Sequence, residues 1–143
     1  MMLMNVNGFL LENGIKQSIR KKAEDRTKYK TYLEINPSLD TPTVYEKIYG
    51  KKDISMMAKL RTSSHNLKIE MGRRTKTARN ERLCHCGEVE DEEHFVLKCV
   101  RYSELRSEYA IKNNNKSTAD ILNNSSNVNY IKELYKRRKE VDI

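Results

Sequence analysis

All three cysteines and two of the three histidines of this 143-residue chain fall between residues 84 and 99, in the order Cys84-His85-Cys86, then His94, then Cys99. Thiolates and imidazoles are the usual ligands of four-coordinate zinc. Three thiolates with one imidazole make a structural site that is closed to water. Idle core thiols would be scattered, whereas here every cysteine lies within sixteen positions. Gly87 lets the chain turn tightly beneath the first ligands, and an acidic loop then leads into the helix that presents His94 and Cys99. Those two are five residues apart, which is ~140° around a regular helix, so the first turn of that helix must distort or begin late. The gap in Cys84-His85-Cys86 is tighter than the usual spacing of about two to four residues, which leaves His85 as an alternative ligand. A hydrolytic zinc enzyme is the least favoured reading, because three thiolates close the coordination shell and no general base stands beside it. An odd number of cysteines argues against a disulfide framework and for a reducing, intracellular compartment, nucleus or cytoplasm.

Charge is the second chemical feature. The formal total is +8, from 28 Lys and Arg against 20 Asp and Glu. Lys59, Arg61, Lys68, Arg73, Arg74, Lys76, Arg79 and Arg82 face only Glu70 and Glu81 within Lys59–Arg82, so this segment alone carries +6. Immediately after it come Glu88, Glu90, Asp91, Glu92 and Glu93, read as a helix N-terminus with a solvated loop rather than a catalytic pair. Arg20-Lys21-Lys22 and Lys136-Arg137-Arg138-Lys139 are smaller basic blocks; the second also resembles a nuclear-import patch. Such a balance favours a polyanionic partner. No Asp-Asp pair and no phosphate-cradling glycine loop is present, which excludes a polymerase or nucleotide-binding core within this length. The longest greasy stretch, Met1–Leu11, is broken by Asn5 and Asn7 and is too short for a membrane span of ~20 residues; it also lacks the basic start and cleavage site of a secretory signal. No small-molecule substrate is implied.

The elements that must position these residues are mostly helical. Ile15, Ile19 and Ala23 recur every four residues and predict a helix from about 14 into the low thirties, ending before Pro37. Thr41-Pro42 reads as a helix start and Gly50 as the stop of a two-turn helix carrying Val44, Ile48 and Tyr49. Asp53 is expected to cap the next helix, whose face holds Ile54, Met57, Ala58 and Leu60 or Arg61. Leu67, Ile69 and Met71 alternate, suggesting a short extended piece. A long helix is expected from Asp91 to Lys112 through Phe95, Val96, Cys99, Val100, Leu105 and Tyr109. Within the Asn/Ser-rich stretch Asn113–Asn129 a short helical turn is expected around Ala119–Leu122. A last helix, Val128 to Glu140, buries Val128, Ile131, Leu134 and Tyr135. His65 reads as a packing or capping residue. The expected fold is therefore mainly α: a small helical domain stapled by a zinc site built from a ligand-bearing loop and a helix. It divides into a helical N-terminal or linker region (1–52), a zinc-binding module (53–112) and a loop with a basic C-terminal helix (113–143). With 37% hydrophobic residues, no Trp and two Phe, the core is thin, and a metal would supplement it.

The residues Leu60, Arg61, His65, Leu67, Gly72, Arg73, Cys84, Cys86, Glu92, His94, Phe95, Cys99, Tyr102, Leu105 and Arg106 follow a recognisable pattern. It is a Leu-Arg-x-x-x-His-x-Leu stretch, a Gly-Arg pair, a cysteine pair, an acidic-His-Phe segment, a final Cys, and Tyr followed by Leu-Arg. In this the chain resembles the zinc-binding module at the C-terminal end of reverse transcriptases from non-LTR retrotransposons. The match is strong over about a third of the chain. Two departures are visible: many relatives have two residues between the first cysteines where this chain has one, and many have Pro after the last Cys where this chain has Val100. The resemblance implies Zn²⁺ held by Cys84, Cys86, His94 and Cys99, a non-enzymatic tail without the polymerase core, and a reverse transcriptase core as a partner. The leading expectation is a zinc-stabilised module that binds RNA or DNA through backbone contacts from Arg61, Lys68, Arg73, Arg74, Lys76, Arg79 and Arg82. The alternatives are a structural or protein-interaction zinc domain, whose amphipathic helix docks on a partner, and a decayed element copy.

Overall fold

The computed structural model describes residues 6–111 and 116–141, so Met1–Asn5 and the start of the Asn/Ser-rich stretch lie outside the described residues. The chain folds as α1 (Val6–Asp25), α2 (Thr27–Ile35), a 3₁₀ turn (Val44–Lys47), α3 (Lys51–Arg61), α4 (Lys68–Arg74), a 3₁₀ turn (Arg79–Glu81), a π turn (His94–Lys98), a 3₁₀ turn (Val100–Tyr102), α5 (Ser103–Glu108), α6 (Thr118–Leu122), a 3₁₀ turn (Ser125–Asn127) and α7 (Val128–Val141). Among the described residues the only β pairing is the single antiparallel bridge Leu83–Val89, so the fold is mainly helical, as expected. No helix of the described residues is long and apolar enough to cross a membrane.

The last helix follows its period most closely. Ile131 and Leu134 of α7 are fully buried, together with Tyr130, and the Tyr130 hydroxyl donates to the Val96 carbonyl. One apolar cluster joins Ile35 and Val44 from the N-terminal third, Met57 and Leu60 of α3, Phe95, Cys99 and Tyr102 around the expected metal site, and Ile121 and Leu134 near the C-terminus. Phe95 anchors it, with Tyr102 edge-on at 5.7 Å and Tyr135 tilted at 5.0 Å. The short α6 contains the expected turn and is closed by a capping box. The Ser117 hydroxyl accepts from Asp120 N–H (3.2 Å) while the Asp120 carboxylate accepts from Ser117 N–H (2.8 Å), satisfying two amides that the helix leaves open.

Several expected elements take another form. The first helix breaks at Arg26, whose backbone is extended (φ −131°, ψ 117°); α1 and α2 then pack on each other. This delivers Ile35 to the core, whereas Ile15 of the predicted face stays 61% exposed. In place of a helix from Thr41-Pro42 to Gly50 there is one 3₁₀ turn, after which Ile48 is extended and buried and Tyr49 points outward. Short 3₁₀ pieces suit such a connector, where one buried residue at each end suffices. Gly50 precedes α3 as its N-cap instead of ending a helix. Asp53 lies inside the first turn of α3 and receives Lys132 of α7 at 3.3 Å. Of the alternating residues expected to form an extended piece, Ile69 and Met71 lie inside α4 and only Leu67, its N-cap, is extended (φ −62°, ψ 155°), because His65 and the distant Glu90 take the amides at its start. Leu67 N–H donates to His65 Nδ1 (3.1 Å), Lys68 N–H to Glu90 Oε1 (2.8 Å) and Ile69 N–H to the Glu90 carbonyl (3.0 Å). The predicted Asp91–Lys112 helix is interrupted at Cys99, whose backbone is extended (φ −60°, ψ 125°), leaving Val100 exposed.

Candidate metal centre

Two pieces of local structure carry the four candidate ligands. The first is a tight loop closed by the Leu83–Val89 bridge. Cys84 N–H donates to the Glu88 carbonyl (2.7 Å) and Gly87 N–H to the Cys84 carbonyl (2.9 Å). Gly87 sits at φ +96°, a conformation that side chains on Cβ disfavour. This turn lets Cys84 and Cys86 face the same point across a single intervening residue. The second piece is the π turn. Asp91 caps it, its Oδ1 accepting from His94 N–H at 2.8 Å. Cys99 N–H then reaches back five residues to the His94 carbonyl at 2.8 Å. An i→i+5 bond widens the turn, and π turns of this kind recur at functional sites. The distortion expected from the five-residue spacing is therefore this widened turn.

The result is convergence: one ligand atom from each of Cys84, Cys86, His94 and Cys99 lies within 4.8 Å of the others. Tetrahedral zinc with Zn–S bonds of about 2.3 Å separates two sulfurs by about 3.8 Å. The Cys84 and Cys99 sulfurs are 3.8 Å apart, and Cys86 Sγ lies 3.2 Å from His94 Nε2, a slightly compressed sulfur–nitrogen edge. Cys84, His94 and Cys99 are buried and Cys86 half-buried. His85 is exposed and does not join the cluster. The donor set thus fits a four-coordinate thiophilic cation such as zinc.

A metal bound here would have to displace protons from the thiols. Burial pushes the Cys99 thiol up to about 12. Burial also holds His94 below its ordinary value, against the opposing pull of Asp91, Glu90 and Glu88, which favours the neutral imidazole that coordinates metal. Three thiolates and a divalent cation sum to one negative charge, and Arg101 is placed to offset it. Its Nη1 lies 3.3 Å from Cys84 Sγ, while its guanidinium covers the Tyr102 ring at 5.2 Å. Such outer contacts orient ligands and tune the metal. Sequence reasoning passed over Arg101, whose only signal was its position two residues after the last cysteine.

The acidic loop beside the site differs from its expected solvated form. Glu90 is 3% exposed and Glu92 7%. Glu90 holds Arg138 of α7 by two hydrogen bonds, at 2.8 and 3.1 Å, so one member of the C-terminal basic block is interior. Glu92 accepts from Ser63 (3.1 Å) and pairs with His65 Nε2 (2.8 Å). Because His65 Nδ1 accepts the Leu67 amide, the imidazole proton resides on Nε2 and is donated to Glu92. His65 is therefore the capping and packing residue expected.

The cations proposed from sequence fall into two groups. Arg61 is buried, donating to Asn123 Oδ1 (2.9 and 3.2 Å) and Tyr45 Oη (2.8 Å); it is a tertiary clamp, and its guanidinium is not presented to a phosphate. Arg82 lies over Gly72 and donates to the Thr77 and Ile69 carbonyls at 2.9 and 3.0 Å. Arg73 pairs with buried Glu70 at 3.0 Å and Arg79 with Asp91 at 3.2 Å. Lys68, Arg74, Lys76 and Arg79 are exposed. No protein-family model, no curated protein and no solved structure matches this chain.

Proposed function

We propose that the chain is a zinc-stabilised nucleic-acid-binding module, a tail of the kind its sequence resembles in retrotransposon reverse transcriptases, which binds rather than catalyses. What carries the reading is the convergence of three sulfurs and one imidazole nitrogen within 4.8 Å. A closed thiolate-rich site supplies folding energy rather than reactivity. It braces a chain whose exposed cations include Lys68, Arg74, Lys76 and Arg79, and such cations bind phosphates with release of counterions. The protein-interaction alternative rested on a free apolar helix face at Asp91–Lys112. It has less support, because Phe95, Val96 and Leu105 are spent in the chain's own core.

Two measurements test this. Elemental analysis of purified protein should give about one zinc per chain, and chelation should unfold the region around residues 84–99, since structural zinc binding is linked to folding by about 10–16 kcal/mol. Metal-free protein of undiminished helicity would remove the metal reading. Binding to RNA and DNA should weaken steeply as salt rises; a log–log slope near zero would remove the nucleic-acid reading and leave the metal site intact.

A further inference from the structure

A groove of about 620 Å³ runs beside α3, α4 and α7. Its lining brings together Lys51, Lys52, Lys59, Arg74 and Lys139 and, among the described residues, contains not one carboxylate. All five cations are exposed. Among the described residues none of them is in an ion pair. This sets them apart from the cations that dominate the sequence run, where Arg61, Arg73, Arg79 and Arg82 are engaged by the protein itself. Five like charges around one concavity repel one another, and low-dielectric walls focus their field on whatever enters.

The position of two of them adds to the strain. Lys51 and Lys52 open α3 immediately after Gly50, and no side chain caps that end. A helix N-terminus carries partial positive charge, which favours anions and disfavours cations. Asp53, the acid of that turn, is already bound to Lys132. The first turn of α3 therefore combines two ammonium groups and amides without a side-chain cap, all of which an anion would satisfy.

The floor supplies Met56 and Tyr135, with the Tyr135 ring packed on Phe95 at 5.0 Å. A ring so fixed offers apolar contact at the floor but does not swing out to stack bases. The other ring of the lining, His65, is buried with both nitrogens engaged, and Ser55, Ser64 and Asn66 are outnumbered by the five cations, so the lining matches phosphodiester backbone better than base edges.

We propose that this groove is the phosphate-binding track of the module, taking the sugar–phosphate backbone of single-stranded RNA or DNA without sequence preference, through Lys51, Lys52, Lys59, Arg74 and Lys139. It rests on the nucleic-acid reading given above and assigns that reading a location, moving the contact surface from the middle of the cationic run to the junction of three helices.

The test is fluorescence anisotropy of a labelled 20-nucleotide single strand with the full chain purified in the presence of zinc, from 50 to 200 mM salt. If all five cations engage phosphates, the log–log slope is about −3.5, and affinity falls about a hundredfold over that range. Lys51→Gln, Lys52→Gln and Lys139→Gln together should flatten the slope by about 2 and weaken binding at 50 mM salt on the order of a hundredfold. The matched triple Lys21→Gln, Lys30→Gln and Lys116→Gln, exposed lysines outside the groove, should move the slope by less than half as much. These residues are exposed, and circular dichroism with zinc content confirms that both variants keep the fold. Strong binding by wild type with an undiminished slope in the groove triple overturns the groove while the nucleic-acid reading stands. Failure of wild type to bind either nucleic acid overturns both. Retention of wild type, but not the groove triple, on phosphatidylserine vesicles in place of nucleic acid would assign the groove to a lipid surface and overturn the proposal.

Discussion

Arg138 and Glu90 provide the sharpest test of how the loop of candidate metal ligands is held to the rest of the protein. The pair is bidentate, at 2.8 and 3.1 Å, with side chains 9% and 3% exposed. Glu90 Oε1 also accepts the Lys68 amide at 2.8 Å, and Arg138 Nη2 reaches the Asn66 carbonyl at 3.3 Å. One carboxylate therefore ties together α7, the start of α4 and the strand-like residue that follows the ligand loop. Replacing Arg138 alone by Met leaves a buried anion with one amide contact but no countercharge, a change of about 3–5 kcal/mol in the unfavourable direction. Replacing Glu90 alone by Gln leaves a buried guanidinium and should lose a similar amount. Removing both charges, as Glu90→Gln with Arg138→Met, should recover part of the loss, giving a coupling of about 1–3 kcal/mol in a double-mutant cycle. Urea unfolding at a fixed free zinc concentration is the appropriate assay, because bound metal adds its own linkage to apparent stability. The reasoning is refuted if Arg138→Met loses under about 1 kcal/mol, or if the double variant loses the plain sum of the singles. The first outcome would place the pair effectively in solvent, and the second would make each residue matter for reasons other than the other's charge.

Two further perturbations probe neighbouring links. A Cβ at Gly72 would stand 2.3 Å from Arg82 Cγ and 2.5 Å from Cδ, on a side chain pinned to two carbonyls, so Gly72→Ala should destabilise by about 1–3 kcal/mol despite its better helix propensity. In an Arg82→Ala background the same change should become neutral or stabilising, and equal losses in both backgrounds would rule the clash out. For Glu92, burial raises its value but the hydrogen bonds it accepts from His65 and Ser63 outweigh it and hold the carboxyl below the ordinary glutamate range. A depressed folded value contributes stability that is full above the unfolded value and lost as pH falls through the folded one. The stability gap between wild type and Glu92→Gln should therefore be widest near pH 7 and close as pH drops below about 4; a gap that widens in acid would contradict the assignment.

How far the sequence discloses this arrangement depends on whether the deciding partner is near in the chain. The five-residue step from His94 to Cys99 demands a distorted turn, and the π turn meets the demand locally. The period of α7 and the helical turn at Ala119–Leu122 are also local and visible in the residues, the turn being secured by the neighbouring Ser117–Asp120 capping box. Leu67–Met71 misleads because its alternation is real but its amides are capped by His65 and Glu90; no period within the segment records that Glu90 returns to it. Charge misleads for the same reason. Arg61 and Arg82 look identical to Lys59 and Arg74 in a run of basic residues. Yet Arg61 finds Asn123 and Tyr45, and Arg82 finds the carbonyls of α4 and its flank. Guanidinium is the group suited to such use, since its planar fork satisfies several acceptors at once, whereas an ammonium is hydrated strongly and stays outside. The lysines therefore remain at the surface, and it is they, with Arg74, that line the groove beside α3 and α7. An Arg-rich run in a small helical protein thus holds its own fold before it holds a partner, and the surface for a polyanion is better sought where lysines from separate elements meet without a carboxylate.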